Sequence, residues 1–190
     1  MARTDYFGGI KNPRMAFTAD EIQANIKLMV HRIETDFMDY TTHDIDITFL
    51  VLLKGGARFA FDLMNCFRSD AYYYDFIGVE SYGNKTHSTG DVKFYLYKRL
   101  SPEVINDKYV IVLDDICDTG QTLKFVKTRL LTDFKPKVIR TATLIWREKS
   151  KIRPDFYAFK VKHDEFFFGY GLGIGQKCRH LSGIYTTARD

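Results

Sequence analysis

The chain has 190 residues, of which 45% are hydrophobic, and its 28 Lys and Arg against 24 Asp and Glu give a net charge of +4. This length and composition predict a single globular domain spanning residues 1–190 and argue against a disordered chain. The charge excess is too small for a nucleic-acid-binding protein, although it suits a small anionic ligand.

Cysteine usage and hydropathy bear on the cellular compartment. Cys66, Cys117 and Cys178 are odd in number and show no Cys-x-x-Cys spacing. The pattern predicts neither a disulfide framework nor a zinc site, and it favours a reducing, cytoplasmic setting. No apolar run approaches the roughly 20 residues that a membrane span needs, and no signal sequence follows Met1. We therefore expect a soluble protein that binds neither membranes nor nucleic acid.

The first predicted element is an amphipathic helix. Thr18 and Glu21 have the spacing of a capping box, and apolar residues then recur at helical spacing to an expected end near Asp39.

Two strand-turn-helix units follow. The apolar run from Ile47 to Gly56 precedes a helical pattern over 57–67, and the run from Tyr109 to Asp115 precedes another over 120–134. Further strand-like segments occupy 137–146, 154–161 and 165–175. This alternation predicts an α/β fold with a parallel sheet and helices on its faces. The polar stretch from Ser81 to Asp91 is predicted to be a long mobile loop.

Three aspartates lie at the end of one predicted strand, within the stretch VIVLDDICDTGQTL: Asp114, Asp115 and Asp118. In open α/β sheets, ligands gather at the carboxyl ends of the strands, and the N-terminus of the next helix attracts phosphate. Gly120 permits close backbone approach, and the hydroxyls of Thr119 and Thr122 can donate hydrogen bonds. The carboxylates repel one another, so ribose hydroxyls and a divalent cation would satisfy them. The block predicts a site for a sugar phosphate with magnesium.

This block resembles the phosphoribosyl-pyrophosphate (PRPP) signature of type I phosphoribosyltransferases, and its surroundings resemble the hypoxanthine-guanine branch. LVLLKGGARFAFDL is similar to the pyrophosphate loop of that branch, SYGNKTHSTGDVK to its catalytic flexible loop, and RPDFYAF with FFFGYGL to its purine-pocket strands. These motifs occur in the family's order from Ala16 to Leu181. The resemblance implies a central, mostly parallel sheet with helices on both faces, plus a small hood.

The resemblance also implies roles for residues on the PRPP side. Asp118 would be the catalytic residue that handles the proton on purine N7. Asp114 and Asp115 would hold the ribose 2′- and 3′-hydroxyls and the Mg²⁺ ion. The 5′-phosphate would be surrounded by Asp118, Thr119, Gly120, Gln121 and Thr122.

The remaining implied roles concern pyrophosphate, the loop and the base. Pyrophosphate would contact Lys54, Gly55 and Arg179. The flexible loop would close over the reacting centre through Ser81 and Tyr82. The base would meet Arg147, the ring of Phe166 and the backbone of Phe167.

Three positions depart from the family pattern. Arg147 stands where the branch usually has a lysine that reads the 6-oxo group. The arginine side chain is longer than that of lysine, and its planar guanidinium donates in different directions. Gly173 stands where an aspartate usually helps to bind magnesium. Gln121 replaces a Lys or Arg of the phosphate loop, which is a milder change. The larger departures therefore lie on the base side.

The resemblance implies a purine-salvage enzyme that transfers phosphoribosyl from PRPP to a 6-oxopurine, which is hypoxanthine, guanine or xanthine. The products would be the nucleoside monophosphate, such as IMP or GMP, and pyrophosphate, and the enzyme would be a homodimer or homotetramer. Two alternatives stay open: a phosphoribosyltransferase for another nitrogen base, and a PRPP- or nucleotide-sensing regulator with the same fold. Asp118 argues against the regulator, because a sensor needs no proton handler.

Overall fold

The computed structural model describes residues 13–38, 45–68, 72–82, 93–96, 100–162 and 164–187. Its helices are α1 (Ala19–Met38), α2 (Gly56–Asn65) and α3 (Gln121–Asp133), with a short 3₁₀ helix at Pro102–Val104. Its strands are β1 (Arg14–Phe17), β2 (Ile47–Leu53), β3 (Tyr72–Tyr82), β4 (Lys93–Leu96), β5 (Tyr109–Cys117), β6 (Val138–Arg147), β7 (Phe156–Val161), β8 (Phe166–Phe168) and β9 (Ile184–Thr187).

The larger of the two described sheets has the strand order β4-β3-β2-β5-β6-β7. The neighbours from β3 to β7 pair in parallel, and β4 pairs antiparallel with β3 at the edge. The chain reverses its direction of winding between β2 and β5, because β3 lies on one side of β2 and all later parallel strands lie on the other. Such a reversal opens a crevice at the carboxyl ends of the two strands.

Helices cover both faces of this sheet. On one face, α1 and α2 pack against β2 side chains such as Phe49 and Val51. On the other face, α3 contributes to a second core that includes Leu50 and Leu52. Strand β2 is buried from Ile47 to Leu52 for this reason, which explains why its sequence is a continuous apolar run. The predicted α/β architecture is confirmed.

The start of α1 has the hydrogen bonds of a capping box. The backbone N–H of Glu21 donates to Thr18 Oγ1 at 3.2 Å, and the backbone N–H of Thr18 donates to Glu21 Oε2 at 2.8 Å. Each side chain therefore satisfies a backbone donor that the helix leaves open. The helix predicted from this motif is confirmed as far as Met38.

The smaller sheet is the predicted hood, with the antiparallel order β1-β9-β8. The strand predicted over 165–175 is correct only for Phe166–Phe168. Gly169 and Gly171 have φ angles of +93° and +94°, so the backbone turns directly after β8. These positive φ angles favour glycine and do not continue a strand.

Strand β3 extends into the segment that was predicted to be a polar loop. Ser81 and Tyr82 are the last residues of β3, where they pair with Phe94 and Lys93 of β4. The prediction that a loop begins at Ser81 was wrong, because backbone pairing with β4 extends the strand. Residues 83–92 lie outside the described residues.

Two further findings concern the cysteines and the helices. Cys66, Cys117 and Cys178 are all free thiols. Among the helices of the described ranges, none has the length and apolar character that a membrane crossing requires.

Asp36 of α1 joins three elements of the core. Its carboxylate accepts hydrogen bonds from Arg140 Nε at 2.9 Å and Nη2 at 3.2 Å on β6, and from the hydroxyl of Tyr109 on β5. Burial alone would raise the pKa of Asp36, but the hydrogen bonds from Arg140 and Tyr109 outweigh it and lower that pKa. The ionised carboxylate therefore stabilises the fold.

We expect Asp36→Asn to lower the free energy of unfolding at pH 7 by about 1–3 kcal/mol, because Arg140 loses its charged partner. The folded-state pKa lies below the unfolded value, so this contribution is present above about pH 4 and is lost as the pH falls through the folded pKa. Urea denaturation of wild type and variant at several pH values checks this, and the two curves should converge in acid.

The matched control is Glu148→Gln, which breaks an exposed ion pair with Lys160. Exposed pairs contribute little, so the control should lose much less stability at pH 7 than Asp36→Asn does. Equal losses in the two variants, or a loss for Asp36→Asn that does not change with pH, would contradict this account.

Candidate active site

The candidate site lies at the switch point, where β2, β5 and β6 present their carboxyl ends side by side. Lys54 and Gly55 follow β2, Asp114 and Asp115 lie in the last part of β5, and Arg147 ends β6. Lys54 is exposed, and the Leu53–Lys54 peptide bond is cis. The fold thus brings together residues that the sequence separates by up to 93 positions (Arg147 minus Lys54).

The Lys54-Gly55 turn is held between two other segments. A Cβ atom on Gly55 would lie 1.5 Å from Asp115 Oδ2, so the Asp115 carboxylate rests directly on the turn. On another side, a Cβ atom on Gly171 would lie 2.5 Å from the Gly55 carbonyl oxygen. A side chain on Gly171 would collide with backbone, and one on Gly55 would displace the Asp115 carboxylate, so glycine at both positions preserves this packing.

Asp114 and Asp115 are partly buried and turn back onto their own strand. Asp114 Oδ1 accepts from the N–H of Asp115 at 2.9 Å, and Asp115 Oδ1 accepts from the N–H of Ile116 at 2.8 Å. Burial and the neighbouring charge of Asp115 raise the pKa of Asp114 well above its usual range. Burial also raises the pKa of Asp115, although its hydrogen bonds and the charge of Arg179 oppose the shift. Hydroxyl donors and a cation would therefore stabilise the ionised pair.

The loop before α3 has the geometry of an anion site. Gly120 has a φ angle of +79°, and a Cβ atom there would lie 2.3 Å from the Cβ of Ile152. Thr119 Oγ1 accepts from the N–H of Gln121, the first residue of α3, at 3.3 Å. The first N–H groups of a helix have no partner within the helix and carry a partial positive charge, which suits a phosphate.

Arg179 reaches the carboxylate pair from the segment after β8. Its Nη1 donates to the carbonyl of Gly171 at 2.6 Å, and its charge acts on Asp115. Its Nε is buried and has no hydrogen-bond partner among the described residues. A Cβ atom on Gly173 would lie 2.5 Å from the Arg179 Cζ. Gly173 therefore leaves the space that the guanidinium occupies.

Arg58 and Tyr170 hold that segment against α2. Arg58 Nη1 donates to the carbonyls of His180 at 3.0 Å and Leu181 at 2.8 Å, and its Cζ lies 4.6 Å from the centre of the Tyr170 ring. The Tyr170 hydroxyl donates to Asp62 of α2. Burial and the adjacent Asp62 carboxylate raise the pKa of Tyr170, so it remains a donor. The position of Arg179 depends on this anchorage.

Asp118 belongs to a second charged cluster. Its Oδ1 lies 3.1 Å from Arg147 Nε and 3.5 Å from Lys149 Nζ. Arg147 and Lys149 also face Asp164, whose Oδ1 is 3.5 Å from Arg147 Nη1 and 2.8 Å from Lys149 Nζ. The Arg147 side chain is 2% exposed, whereas Asp118 is 36% exposed. Asp118 is therefore accessible to a ligand, and Arg147 is enclosed by the protein.

The predicted base-side aromatics lie on β8. Phe166 is partly buried, and the ring of Phe167 is buried between the ring of Phe17, at 6.3 Å, and the Arg147 guanidinium, at 5.1 Å. The interior therefore holds the Phe167 ring, which leaves its backbone as the part that a ligand can contact.

The structure thus assembles most of the predicted residues into two neighbouring groups. One contains Lys54, Gly55, Asp114, Asp115 and Arg179. The other contains Asp118, Arg147 and Phe167. Ser81 and Tyr82 have a described backbone at the end of β3, and their side chains lie outside the described part of the chain.

Sequence reasoning missed Lys149, Asp164 and the anchoring residue Arg58. Lys149 had a weak signal, because it is a second basic residue in the turn directly after a strand that ends at the site. Asp164 and Arg58 had none, since their partners lie far away in sequence.

A cavity of about 510 Å³ opens elsewhere, between the hood and β7. Its lining includes Arg14, Lys160, Lys162 and Glu165, but none of the three aspartates. Strand ends, carboxylates and a helix N-terminus meet instead at the switch point, so we place the chemistry there. Across the described part of the chain, no group of three or more His, Cys, Asp or Glu side chains is arranged to hold a metal ion.

Comparison with known proteins decides the family. Residues 18–174 match the model of the phosphoribosyl transferase domain. The chain belongs to this phosphoribosyltransferase family. It is 33% identical over 179 residues to a hypoxanthine-guanine phosphoribosyltransferase of Aquifex aeolicus, with 92% of this chain and 94% of the relative covered. It is 32% identical over 175 residues to the Bacillus subtilis protein of the same name, covering 90% and 91%.

Solved structures of similar phosphoribosyltransferases share the fold. A hypoxanthine-guanine phosphoribosyltransferase of Bacillus anthracis superposes with a TM-score of 0.78 at 32% identity, covering 92% of this chain and 98% of that one. A hypoxanthine phosphoribosyltransferase of Trypanosoma cruzi gives 0.79 at 27% identity, covering 93% and 91%. The type I phosphoribosyltransferase fold predicted from the sequence is confirmed.

We expect Gly173→Ala to weaken pyrophosphate binding by about 3- to 10-fold, because the new methyl group displaces the Arg179 guanidinium and about 1 kcal/mol of charge interaction is lost with it. Calorimetric titration with pyrophosphate checks this. The control is Gly175→Asn on the same segment, where a Cβ atom meets nothing within 4 Å and φ is +51°, a value that asparagine tolerates. A loss of similar size in the control, or none in Gly173→Ala, would contradict the assigned role of Gly173.

Proposed function

We propose that the protein transfers the 5-phosphoribosyl group from PRPP to a 6-oxopurine, giving the nucleoside monophosphate and pyrophosphate, as a purine-salvage enzyme. The observation that carries this is the convergence of Lys54, the Asp114-Asp115 pair and the α3 N-terminus at one switch point. Relatives named hypoxanthine-guanine phosphoribosyltransferase that align over more than 90% of the chain support the same acceptor class.

The PRPP side of the site divides into three regions. The carboxylates of Asp114 and Asp115 accept hydrogen bonds from the ribose hydroxyls. The loop from Asp118 to Thr122 holds the 5′-phosphate at the start of α3. Lys54, the backbone of Gly55 and Arg179 hold the pyrophosphate.

The reaction exchanges one bond at C1 of the ribose for another. The bond to the pyrophosphate oxygen breaks, a bond to a ring nitrogen of the base forms, and the proton that the base loses passes to Asp118. Negative charge develops on the leaving group, where the cations of Lys54 and Arg179 stabilise it. Positive charge develops on the sugar, so the site must exclude water, and we assign this role to Ser81 and Tyr82.

Mg²⁺ fits the residues that are present. The paired carboxylates of Asp114 and Asp115 are oxygen ligands, and burial and mutual repulsion leave them in need of positive charge. Magnesium is commonly held by one or two carboxylates together with substrate phosphates, so a three-residue cage is not required. When bound, the ion would neutralise part of the charge on PRPP and pyrophosphate.

A second candidate acceptor is another nitrogen base. The enclosed guanidinium of Arg147 favours it, because the residue at the family's base-reading lysine position is 2% exposed. Phe166 would stack on either kind of base, and the Phe167 backbone would contact its edge.

The test is release of pyrophosphate from PRPP with a panel of bases. We expect turnover with hypoxanthine or guanine that exceeds turnover with adenine and with pyrimidine bases at least about 100-fold. Turnover only with a different base would establish the second candidate. Tight PRPP binding with no turnover of any base would instead establish a sensing role.

We expect Asp118→Asn to lower kcat by about 10²- to 10⁴-fold, because the amide keeps the shape of the side chain but cannot accept a proton. Steady-state kinetics with the best base, together with calorimetry for PRPP, measure the effect, and the PRPP dissociation constant should change little. Asp133→Asn, which breaks an exposed pair with Arg129 on α3, is the control and should retain full activity. Wild-type turnover by Asp118→Asn would exclude Asp118 as the proton acceptor.

We also propose that the protein forms a cytoplasmic homodimer or homotetramer through α2 and β3. Phe61 of α2 is 47% exposed and Tyr74 of β3 is 53% exposed, and both rings lie within 6 Å of Phe76. Such an exposed aromatic surface is typical of an interface.

Light scattering at micromolar concentration should give a mass of at least twice 22.1 kDa. The substitution Phe61→Asp should shift the mass toward that of the monomer, because it places a charge in the interface. A wild-type protein that stays monomeric would remove this proposal.

A further inference from the structure

We propose that Lys149, rather than Arg147, donates to the 6-oxo group of the base, and that Arg147 is a positioning residue that holds Asp118. This inference rests on the proposed function, because it assumes a purine whose N7 faces Asp118.

Each nitrogen atom of the Arg147 guanidinium already faces a group of the protein. Nε faces Asp118, Nη1 faces Asp164, and Nη2 donates to the carbonyl of Glu165. One face of the guanidinium lies over the Phe167 ring. A base could reach Arg147 only by displacing its buried contacts with Asp118 and the Glu165 carbonyl, which is costly.

Lys149 is the accessible cation beside Asp118. Its Nζ lies 3.5 Å from the same Asp118 Oδ1 that Arg147 contacts, yet its side chain is 43% exposed. Its nearer partner is Asp164, at 2.8 Å, and that carboxylate is itself 54% exposed. An exposed pair of this kind contributes little, so a ligand can take over the ammonium group at low cost.

The turn that carries Lys149 is fixed against the phosphate loop. The N–H of Ser150 donates to the carbonyl of Arg147 at 2.9 Å, which closes the turn around Lys149. Ser150 Oγ lies 3.4 Å from Cys117 Sγ at the end of β5, and Ile152 contacts Gly120. These contacts keep the backbone of Lys149 next to Asp118.

The chemistry of purines matches this pair of side chains. A 6-oxopurine that carries its proton on N7 presents an N–H donor and the 6-oxo oxygen acceptor next to each other on one edge. The N7–H can donate to the Asp118 carboxylate, and the oxygen can accept from a cation. When Asp118 faces N7, the 6-oxo oxygen therefore lies within reach of Lys149, the cation beside Asp118. Adenine presents an amino donor in place of the oxygen, so an ammonium group there would disfavour it. Lys149 thus provides selection for the 6-oxo class.

The experiment compares three single variants: Lys149→Met, Arg147→Lys and the control Lys151→Met. Lys151 is exposed on the same turn, so its loss changes the charge equally. For each variant, we would measure kcat and KM for hypoxanthine, the inhibition constant of adenine and the dissociation constant of PRPP.

We expect Lys149→Met to raise the KM for hypoxanthine by about 10- to 100-fold through loss of one charged hydrogen bond, with adenine inhibition unchanged or stronger. PRPP binding should be unaffected, and Lys149→Arg should recover much of the loss, since arginine also donates. Arg147→Lys should lower kcat while leaving the hypoxanthine KM within about threefold, because it disturbs the Asp118 proton acceptor and not the base contact. Lys151→Met should behave as wild type.

Two results would overturn the proposal. One is a rise in KM smaller than about tenfold, or an equal loss for hypoxanthine and adenine, in Lys149→Met. The other is a change in the hypoxanthine KM with Arg147→Lys that exceeds the change in kcat. Wild-type turnover separates this failure from failure of the proposed function: a wild type that binds PRPP but uses no 6-oxopurine removes the function itself.

Discussion

The close contact between the Lys54-Gly55 turn and the Asp115 carboxylate is the constraint on which the site depends. A single methyl group on Gly55 would lie 1.5 Å from that carboxylate, and a methyl group on Gly171 would lie 2.5 Å from the Gly55 carbonyl oxygen on another side of the turn. Three segments that are distant in sequence therefore share one small volume. Adjacent strands β2 and β5 make this possible, because the winding of the sheet reverses between them.

The charged side chains around this contact form two groups, which differ in whether positive charge already compensates the carboxylates. Asp114 and Asp115 are short of positive charge, which is why burial and repulsion raise the pKa of Asp114. A ligand that brings hydroxyl donors and a cation would satisfy them. Asp118, by contrast, is already balanced by Arg147 and Lys149. The first group is suited to binding a sugar phosphate, and the second is suited to orienting one proton acceptor beside a base.

The sequence predicted the parts of the structure that local patterns determine. The capping box at Thr18 and the apolar run of β2 are encoded within a few residues, so α1 and β2 were predicted almost to their observed ends. The aspartates of β5 were predicted as a site because they follow a buried strand. Strand β3, which runs to Tyr82, was not predicted, and its last residues depend on pairing with β4. The burial of Arg147 was missed as well, since it depends on Asp164 and Glu165, which lie 17 and 18 residues later in the chain (164 and 165 minus 147).

A crystal structure of the protein with PRPP and Mg²⁺ would test the central claim most directly. We expect the ribose against Asp114 and Asp115, the 5′-phosphate at the start of α3, and the pyrophosphate between Lys54 and Arg179. PRPP bound instead in the cavity lined by Arg14, Lys160 and Lys162, or with its ribose away from Asp114 and Asp115, would contradict the account.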